Sequence, residues 1–431
     1  MEIKRDRYLK QLIDNMWDGQ VKVITGIRRC GKSYLLKILF KNYLIQKEGV
    51  RADNIIDISL DLTSGLRFRD PLYLVKYVKK ILSGKNERFY LFIDEIQMSE
   101  SVENPYVPTG NPITFYDALN DLRAILNLDI YVTGSNSKML ANDVLTEFRG
   151  RSDEIRVHPL SFSEFLSAYD GTPENAMNEY SYYGGMPFLF SRKTEEAKSS
   201  YLKSLVSEVY LRDIVERHHV TREDVLSMLF DVLCSSVGSL TNPNKLTKTL
   251  QSLSFSGLSV NTVGQYIMYL KDAFMFSEAK RYDVKGKSYF DYPYKYYCED
   301  IGLRNARLEF RQQEMTHIME NIIYNELILR GYSVDVGVVC SNERKSDGSY
   351  HRVNRQIDFI ATHHDKKTYI QSSFSLDNEE KTSNKLRPLS LTGDSFQKII
   401  VRMDVGKPWY NESGILNVKF TDFLLDESFM A

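Results

Sequence analysis

Cysteine is scarce in this chain of 431 residues: Cys30, Cys234, Cys298 and Cys340 lie far apart and form neither a paired metal-binding spacing nor a disulfide framework. Such spacing fits reduced thiols in a cytosol. Long apolar runs are missing too, and the amino-terminal stretch MEIKRDRYLKQLIDNMWDG mixes charge with helical periodicity where a signal peptide would carry an apolar core. The expectation is a soluble cytoplasmic protein without a membrane partner. Charge of one sign does not dominate, since 56 Lys and Arg stand against 57 Asp and Glu for a net charge of −1. The molecule is no polycation, so any nucleic-acid site must be a local basic surface. Histidine offers little: His218-His219 and His363-His364 are adjacent pairs that cannot share one helix face, and they read as solvated or capping groups. What is present is ample core material, 42% hydrophobic residues, in a length that allows roughly two to four domains.

One segment stands out, VKVITGIRRCGKS from Val21 to Ser33, because Gly26, Gly31, Lys32 and Ser33 take the spacing G-x-x-x-x-G-K-S directly behind an apolar run. The run reads as a buried strand, and KSYLLKILFKNYLIQKEG after it has apolar residues at helical spacing. Glycines there let backbone N–H groups curl around phosphates at a helix N-terminus, whose dipole also favours anions. The candidate nucleotide-binding residues are Gly26, Ile27, Arg28, Arg29, Cys30, Gly31, Lys32, Ser33 and Tyr34. Lys32 would reach the β- and γ-phosphates of ATP, and Ser33 would ligate Mg²⁺. Arg28 and Arg29 raise the positive potential, and their neighbour Cys30 should be biased toward its thiolate. The alternative is a glycine turn closed by a solvated lysine.

RFYLFIDEIQ (Arg88–Gln97) is an apolar strand ending in two carboxylates. In a nucleotide-hydrolysing domain Asp94 would sit on the metal and Glu95 would polarise the attacking water. Otherwise they are exposed acids at a strand end. LDIYVTGSNSKML supplies a further strand whose tip, Thr133-Gly134-Ser135-Asn136, can sense the γ-phosphate or hold the water, with helix capping by Ser135 or Asn136 as the alternative. Arg149 and Arg151 precede the strand EIRVHPL. Arg151 is the better candidate for delivery to a neighbouring subunit's γ-phosphate in a homo-oligomer, against plain pairing with Glu147, Asp153 or Glu154.

GIRRCGKS, FIDEIQ, YVTGSNSKML, FRGRSDEIRVHPLSFSEF and YYGGMPFL, in this order, resemble the prokaryotic AAA-type ATPases whose C-terminal half carries a region of unassigned function. SVNTVGQYIMYLKDAFMF, KYYCEDIGLRNA, NIIYNELILRGY and RQIDFIA extend the resemblance over nearly the whole chain. It implies an α/β fold class: a P-loop NTPase core with a parallel sheet at 1–165, a helical lid and connector at 166–218, a winged helix at 219–300, and an α/β restriction-endonuclease-like domain at 301–431.

The residues of the second half point the same way. Thr194–Arg217 forms a long amphipathic pattern, and Ser161-x-x-Glu164 reads as a capping box. Helical stretches from Thr221, a helix capped at Ser259, and two strand-like runs around a basic turn at Gly286 follow the winged-helix order. There Asn261, Thr262 and Gln265 would face the major groove of duplex DNA while Lys280, Arg281, Lys285 and Lys287 meet phosphates; a protein–protein joint with a solvated hairpin is the alternative. Further on, Glu320 or Glu326, then Asp358, then Gln371 follow the order of a metal-dependent nuclease core, but Ser373 fills the slot that needs a lysine. A hydroxyl supplies no cation, so nuclease activity is not expected unless a distant lysine such as Lys367 substitutes; Asp358 otherwise caps or pairs with Arg355. Three functions compete: a Mg²⁺-dependent ATPase that moves its C-terminal module, an ATP-switched nuclease or DNA-binding regulator, and a scaffold for a protein partner.

Overall fold

The computed structural model describes residues 3–430 except 108, 136–151, 254, 256, 345–348 and 377–378. The chain forms two compact units, Met1–Pro159 with Asp272–Phe274, and Leu160–Lys271 with Met275–Ala431.

In the first unit, β1 (Val21–Thr25), β2 (Ile55–Ser59), β3 (Phe89–Asp94), β4 (Leu128–Thr133) and β5 (Ser152–Arg156) make a sheet of order β2-β3-β4-β1-β5. Each pairing is parallel. Strands of such a sheet are covered on both faces and read as apolar runs, as FYLFI does; VKVI is interrupted by Lys22, which is buried and paired with Asp129 at 2.7 Å. Helix α1 (Asp6–Asp14) is followed after β1 by α2, which runs through Lys32–Tyr34, a π-helical stretch Leu35–Phe40 and Lys41–Gln46. On that face Phe40 packs on Phe92 and Tyr131, with centroids 5.8 and 4.8 Å away. Helices α3 (Pro71–Leu82) and α4 (Phe115–Arg123) lend Leu74, Val78, Leu82, Phe115, Leu119 and Leu122 to the other face's core. Asp70 starts α3 by accepting from the Leu72 and Tyr73 amides, with Pro71 at the first helical position where no amide is needed. The consequence for function lies in strand order: β4 separates β1 from β3, so three strand tips converge on the loop after β1.

The second unit begins with α5 (Phe162–Ala168), started by the expected capping box of Ser161 and Glu164. Helix α6 (Pro173–Tyr183) follows, then α7, which runs through Glu195–Ser204, Leu205–Leu211 and Arg212–His218 behind its Thr194 cap. Helices α8 (Glu223–Ser235), α9 (Pro243–Ser252) and α10 (Val260–Asp272) lead to the strand pair β6 (Phe276–Asp283) and β7 (Ser288–Cys298). These strands are not a free wing. β6 pairs in parallel with β8 (Ser333–Arg344), which places the hairpin at one edge of an eight-stranded sheet. Between them lie α11 (Ile301–Arg307) and α12 (Met315–Leu329), and β9 (Tyr350–His363), β10 (Lys366–Ser373), α13 (Glu379–Ser390), β11 (Gln397–Arg402), β12 (Trp409–Tyr410), β13 (Leu416–Lys419) and α14 (Phe420–Leu425) complete the order. The hairpin and the carboxy-terminal region therefore share one sheet across residues 300 and 301.

Candidate nucleotide site and a buried ionic cluster

The loop after β1 needs glycine at its first position for a steric reason. Gly26 has φ +136°, and a Cβ there would lie 2.0 Å from the Val157 carbonyl oxygen. Gly31 closes the loop at φ 103° and starts α2. Arg29 also takes a positive φ of 65°. Lys32 is buried, 3% exposed, and its ammonium donates to the Gly26 and Ile27 carbonyls at 2.9 and 3.0 Å. The loop is tied from behind by Arg5, whose guanidinium donates to the Cys30 carbonyl at 3.1 Å and the His158 carbonyl at 2.6 Å. Cys30 itself is fully buried, and its thiol donates to the Val157 carbonyl at 3.2 Å.

The strand tips meet the loop. The Ser33 hydroxyl donates to Asp94 at 2.9 Å, the Thr133 hydroxyl donates to the same Asp94 oxygen, and the Glu95 amide donates to Thr133 at 3.0 Å. Ser33 and Asp94 are thus brought together from elements 61 residues apart. Glu95 takes a left-handed conformation at the strand end, φ 57° and ψ 54°, which turns its side chain out of the strand's alternation. Ser135 is buried at the β4 tip, while Asn136, Arg149 and Arg151 lie outside the described residues.

Two further neighbours carry no motif of their own. Lys37, one turn after Ser33 on α2, places its ammonium 3.2 Å from Asp94 and 3.3 Å from Asp57, and donates to the Ser59 hydroxyl. The four-residue spacing from Ser33 is its one signal in the sequence. Gln97 donates through its amide nitrogen to the Glu95 carboxylate and to Ser135 Oγ at 3.0 Å, and among the described residues its buried carbonyl oxygen has no partner. No sequence pattern marks Gln97, because its placement depends on the turn that Glu95's backbone makes.

In the second unit Asn261 and Gln265 are exposed on α10, and Thr262 is half-buried against the Ser259 hydroxyl. They are not all equivalent: Asn261 and Gln265 line a groove of about 680 Å³ with Lys280, Tyr292 and Tyr294, whereas Gln265 also donates to the Tyr269 hydroxyl at 2.7 Å. Lys285 and Lys287 are exposed at the hairpin turn. Arg281 is half-buried over the Phe290 ring, and desolvation lowers its pKa from the usual arginine range.

Glu320, Glu326 and Asp358, the acids that the sequence order singled out, are buried, and each is paired. Glu320 accepts from Lys295 at 2.7 Å and from the Tyr297 hydroxyl at 2.8 Å. Asp358 accepts from Lys385 at 2.7 Å and from the Ser372 amide at 3.0 Å, with the Lys295 ammonium 3.7 Å away. Burial alone would push Asp358 up, yet the charges of Lys385 and Lys295 and those hydrogen bonds hold it down at about 2. Gln371 accepts weakly from Lys385 at 3.5 Å, and Ser373 donates to the Ser375 carbonyl. Lys385 is therefore the lysine near Asp358, not Lys367, which lies over the Tyr282 and Phe396 rings; the cations that dominate at Asp358 are Lys385 and Lys295, in place of the Arg355 partner that the sequence suggested. Glu326 stays apart, bonded to Arg330 at 2.7 Å. Among the described residues no cluster of three His, Cys, Asp or Glu side chains is placed to hold a metal ion, and no helix is long and apolar enough to cross a membrane.

A family profile described as an AAA domain matches residues 18–166, the span that contains the loop and all five parallel strands. Residues 18–166 thus form an AAA-type P-loop domain with a parallel sheet. The chain belongs to the same family as an uncharacterized protein of Haemophilus influenzae, with which it is 33% identical over 432 residues covering 98% of each chain. An uncharacterized protein of Methanocaldococcus jannaschii is 28% identical over 397 residues, 88% of this chain and 79% of that one. Residues 174–314 match a domain of unknown function (DUF8612). Among solved structures the chain is similar to a Walker-type ATPase of Pyrococcus abyssi, at 15% identity and TM-score 0.48 over 71% of this chain and 96% of that one. It is also similar to the Orc1 protein of Aeropyrum pernix in complex with DNA, at 12% identity and TM-score 0.33 over 72% and 93%.

Proposed function

We propose that the chain is a Mg²⁺-dependent ATPase that couples ATP binding and hydrolysis to rearrangement of a DNA- or protein-binding C-terminal module. The observation that carries this reading is the convergence of Ser33, Asp94, Thr133 and Glu95 through three hydrogen bonds at the mouth of the glycine loop. A hydroxyl beside a carboxylate is the hard-oxygen donor set that suits Mg²⁺, so the residues fit the ion. Mg²⁺ would neutralise charge on the β- and γ-phosphates. Lys32, now held by loop carbonyls, exchanges them for the phosphate oxygens. Glu95 accepts the proton of the attacking water, and Gln97 fixes the Glu95 carboxylate. Arg151 acts at a neighbouring subunit's γ-phosphate, and the groove beside α10 receives the duplex or the protein partner.

The test is phosphate release by the purified protein, with and without Mg²⁺ and with and without duplex DNA. Lys32→Ala should abolish it, and Glu95→Gln should retain ATP binding while hydrolysis falls by about two orders of magnitude or more, because an amide keeps the shape but is no base. Unchanged turnover in Lys32→Ala removes the reading. Mixing Lys32→Ala with Arg151→Ala protein should restore some activity at mixed interfaces; no recovery in proven mixed oligomers excludes the role of Arg151 in trans.

A further inference from the structure

Beside the ionic cluster of the second unit is a cavity of about 490 Å³, between the amino end of α12 and the carboxyl end of β10. Thr316, Ser372 and Lys385 line it, and Phe374 stands at its rim, 46% exposed. Three features of its wall favour an anion. Ser372 is 1% exposed, yet among the described residues its hydroxyl has no hydrogen-bond partner. Leaving such a group unmatched is unfavourable, a cost that a ligand oxygen would remove. Next, α12 is 15 residues long and Glu314 gives it no side-chain cap; its carbonyl takes the His317 amide at 3.0 Å, which leaves the Met315 and Thr316 amides to groups outside the helix at its positive end.

The third feature is the order of charges. Lys295, Glu320 and Asp358 have side chains 3, 9 and 6% exposed, whereas Lys385 is 30% exposed. Two positive and two negative groups cancel in sum, but the outermost is an ammonium. Lys385 spends its bonds on Asp358 and, weakly, on Gln371, which leaves a third N–H for the cavity. A carboxylate buried behind it repels an anion less than the nearer cation attracts it.

We infer that this cavity binds the phosphate group of a nucleoside phosphate, held by Ser372, Thr316 and Lys385, with the base stacked on Phe374. Phosphate sets the anchoring because it offers several acceptors to the hydroxyls, the ammonium and the helix amides together. An exposed aromatic ring at the rim adds a sequence-tolerant stacking surface. The ligand is a mononucleotide or the phosphorylated end of a single strand, which present the same chemistry. The cavity does not depend on the glycine loop, so it can be tested where that loop is disabled.

The experiment uses the full-length Lys32→Ala protein, in which the loop no longer competes for phosphate, and measures binding by isothermal titration of dAMP, of a 5′-phosphorylated single-stranded oligonucleotide, of the same strand without its phosphate, and of inorganic phosphate. The phosphorylated strand should bind at least about tenfold tighter than its unphosphorylated twin, about 1.4 kcal/mol. Ser372→Ala should weaken every phosphorylated ligand by about tenfold, and Phe374→Ala should weaken dAMP and the strand while sparing inorganic phosphate. Tighter binding of the strand than of dAMP identifies a strand end as the occupant, and equal binding identifies the mononucleotide. Equal affinity for the two strands overturns the inference. So does an unaltered affinity in Ser372→Ala protein whose melting temperature matches the parent.

Discussion

Lys295→Met tests the ionic cluster most directly. The Lys295 ammonium lies 2.7 Å from Glu320 and 3.7 Å from Asp358, at 3% exposure of its side chain. Removing it leaves two buried carboxylates with one lysine, Lys385, and breaking a buried pair in this way costs about 3–5 kcal/mol. Against a domain stability of about 5–15 kcal/mol that is a large share. The second unit should therefore melt well below the wild type while the first does not, and because the chain forms two compact units the unfolding of each is followed separately. Near-ultraviolet circular dichroism reports on the second unit through Tyr297, which stacks on Tyr324 at 4.1 Å and donates to Glu320. Adding Glu320→Gln to Lys295→Met should restore part of the loss, since it removes the orphaned charge.

The acid limb gives an independent check. Asp358 is held at about 2 against an ordinary carboxylate value of 3.8. Its folded pKa lies below its unfolded one, so the stability it contributes is present above about pH 4 and is lost as pH falls through about 2. At 1.36 kcal/mol per unit this is on the order of 2 kcal/mol. In Lys295→Met the folded pKa rises and the acid-dependent loss shrinks. A cost below about 1 kcal/mol for Lys295→Met, with no recovery in the double variant, refutes this account of the cluster.

Gln97→Ala should lower kcat about ten- to a hundredfold with little change in ATP affinity, read by steady-state kinetics beside nucleotide titration; a loss confined to binding would make Gln97 part of the loop's framework instead. Gly26→Ala should abolish nucleotide binding and lower the melting temperature, because its Cβ would meet backbone 2.0 Å away. If duplex DNA binds beside α10, replacing Lys280, Lys285 and Lys287 with Ala should flatten the dependence of log affinity on log salt by up to about 3, and adding Arg281→Ala should change it little, as Arg281 is committed to Phe290. An unchanged slope excludes the hairpin as the phosphate contact.

Features whose partners lie within a few residues are legible in the sequence alone. Gly26 through Ser33 form the loop from consecutive residues. The Ser161–Glu164 box and the Ser259 and Thr194 caps each close over three positions, so the chain's local geometry suffices to bring the groups together. The apolar runs of β1, β3 and β4 likewise mark strands buried on both faces. Sequence does not order those strands, however, and it is the insertion of β4 between β1 and β3 that sets Thr133 on Asp94.

The same limit explains the second unit. The spacing from Gln371 to Ser373 offers no lysine beside Asp358, but Lys385 brings one from α13, 27 residues beyond Asp358, and Lys295 brings another from β7. The basic hairpin is legible as two strands and a turn; its junction with β8 is not, because an edge strand's outer partner is chosen by sheet packing and not by the strand's own residues. Local sequence sets the conformation of short segments through capping, glycine and periodicity. Which distant charges meet depends on how the segments pack, since a buried ion pair is stable only where the whole fold removes water from both partners and supplies the remaining hydrogen bonds.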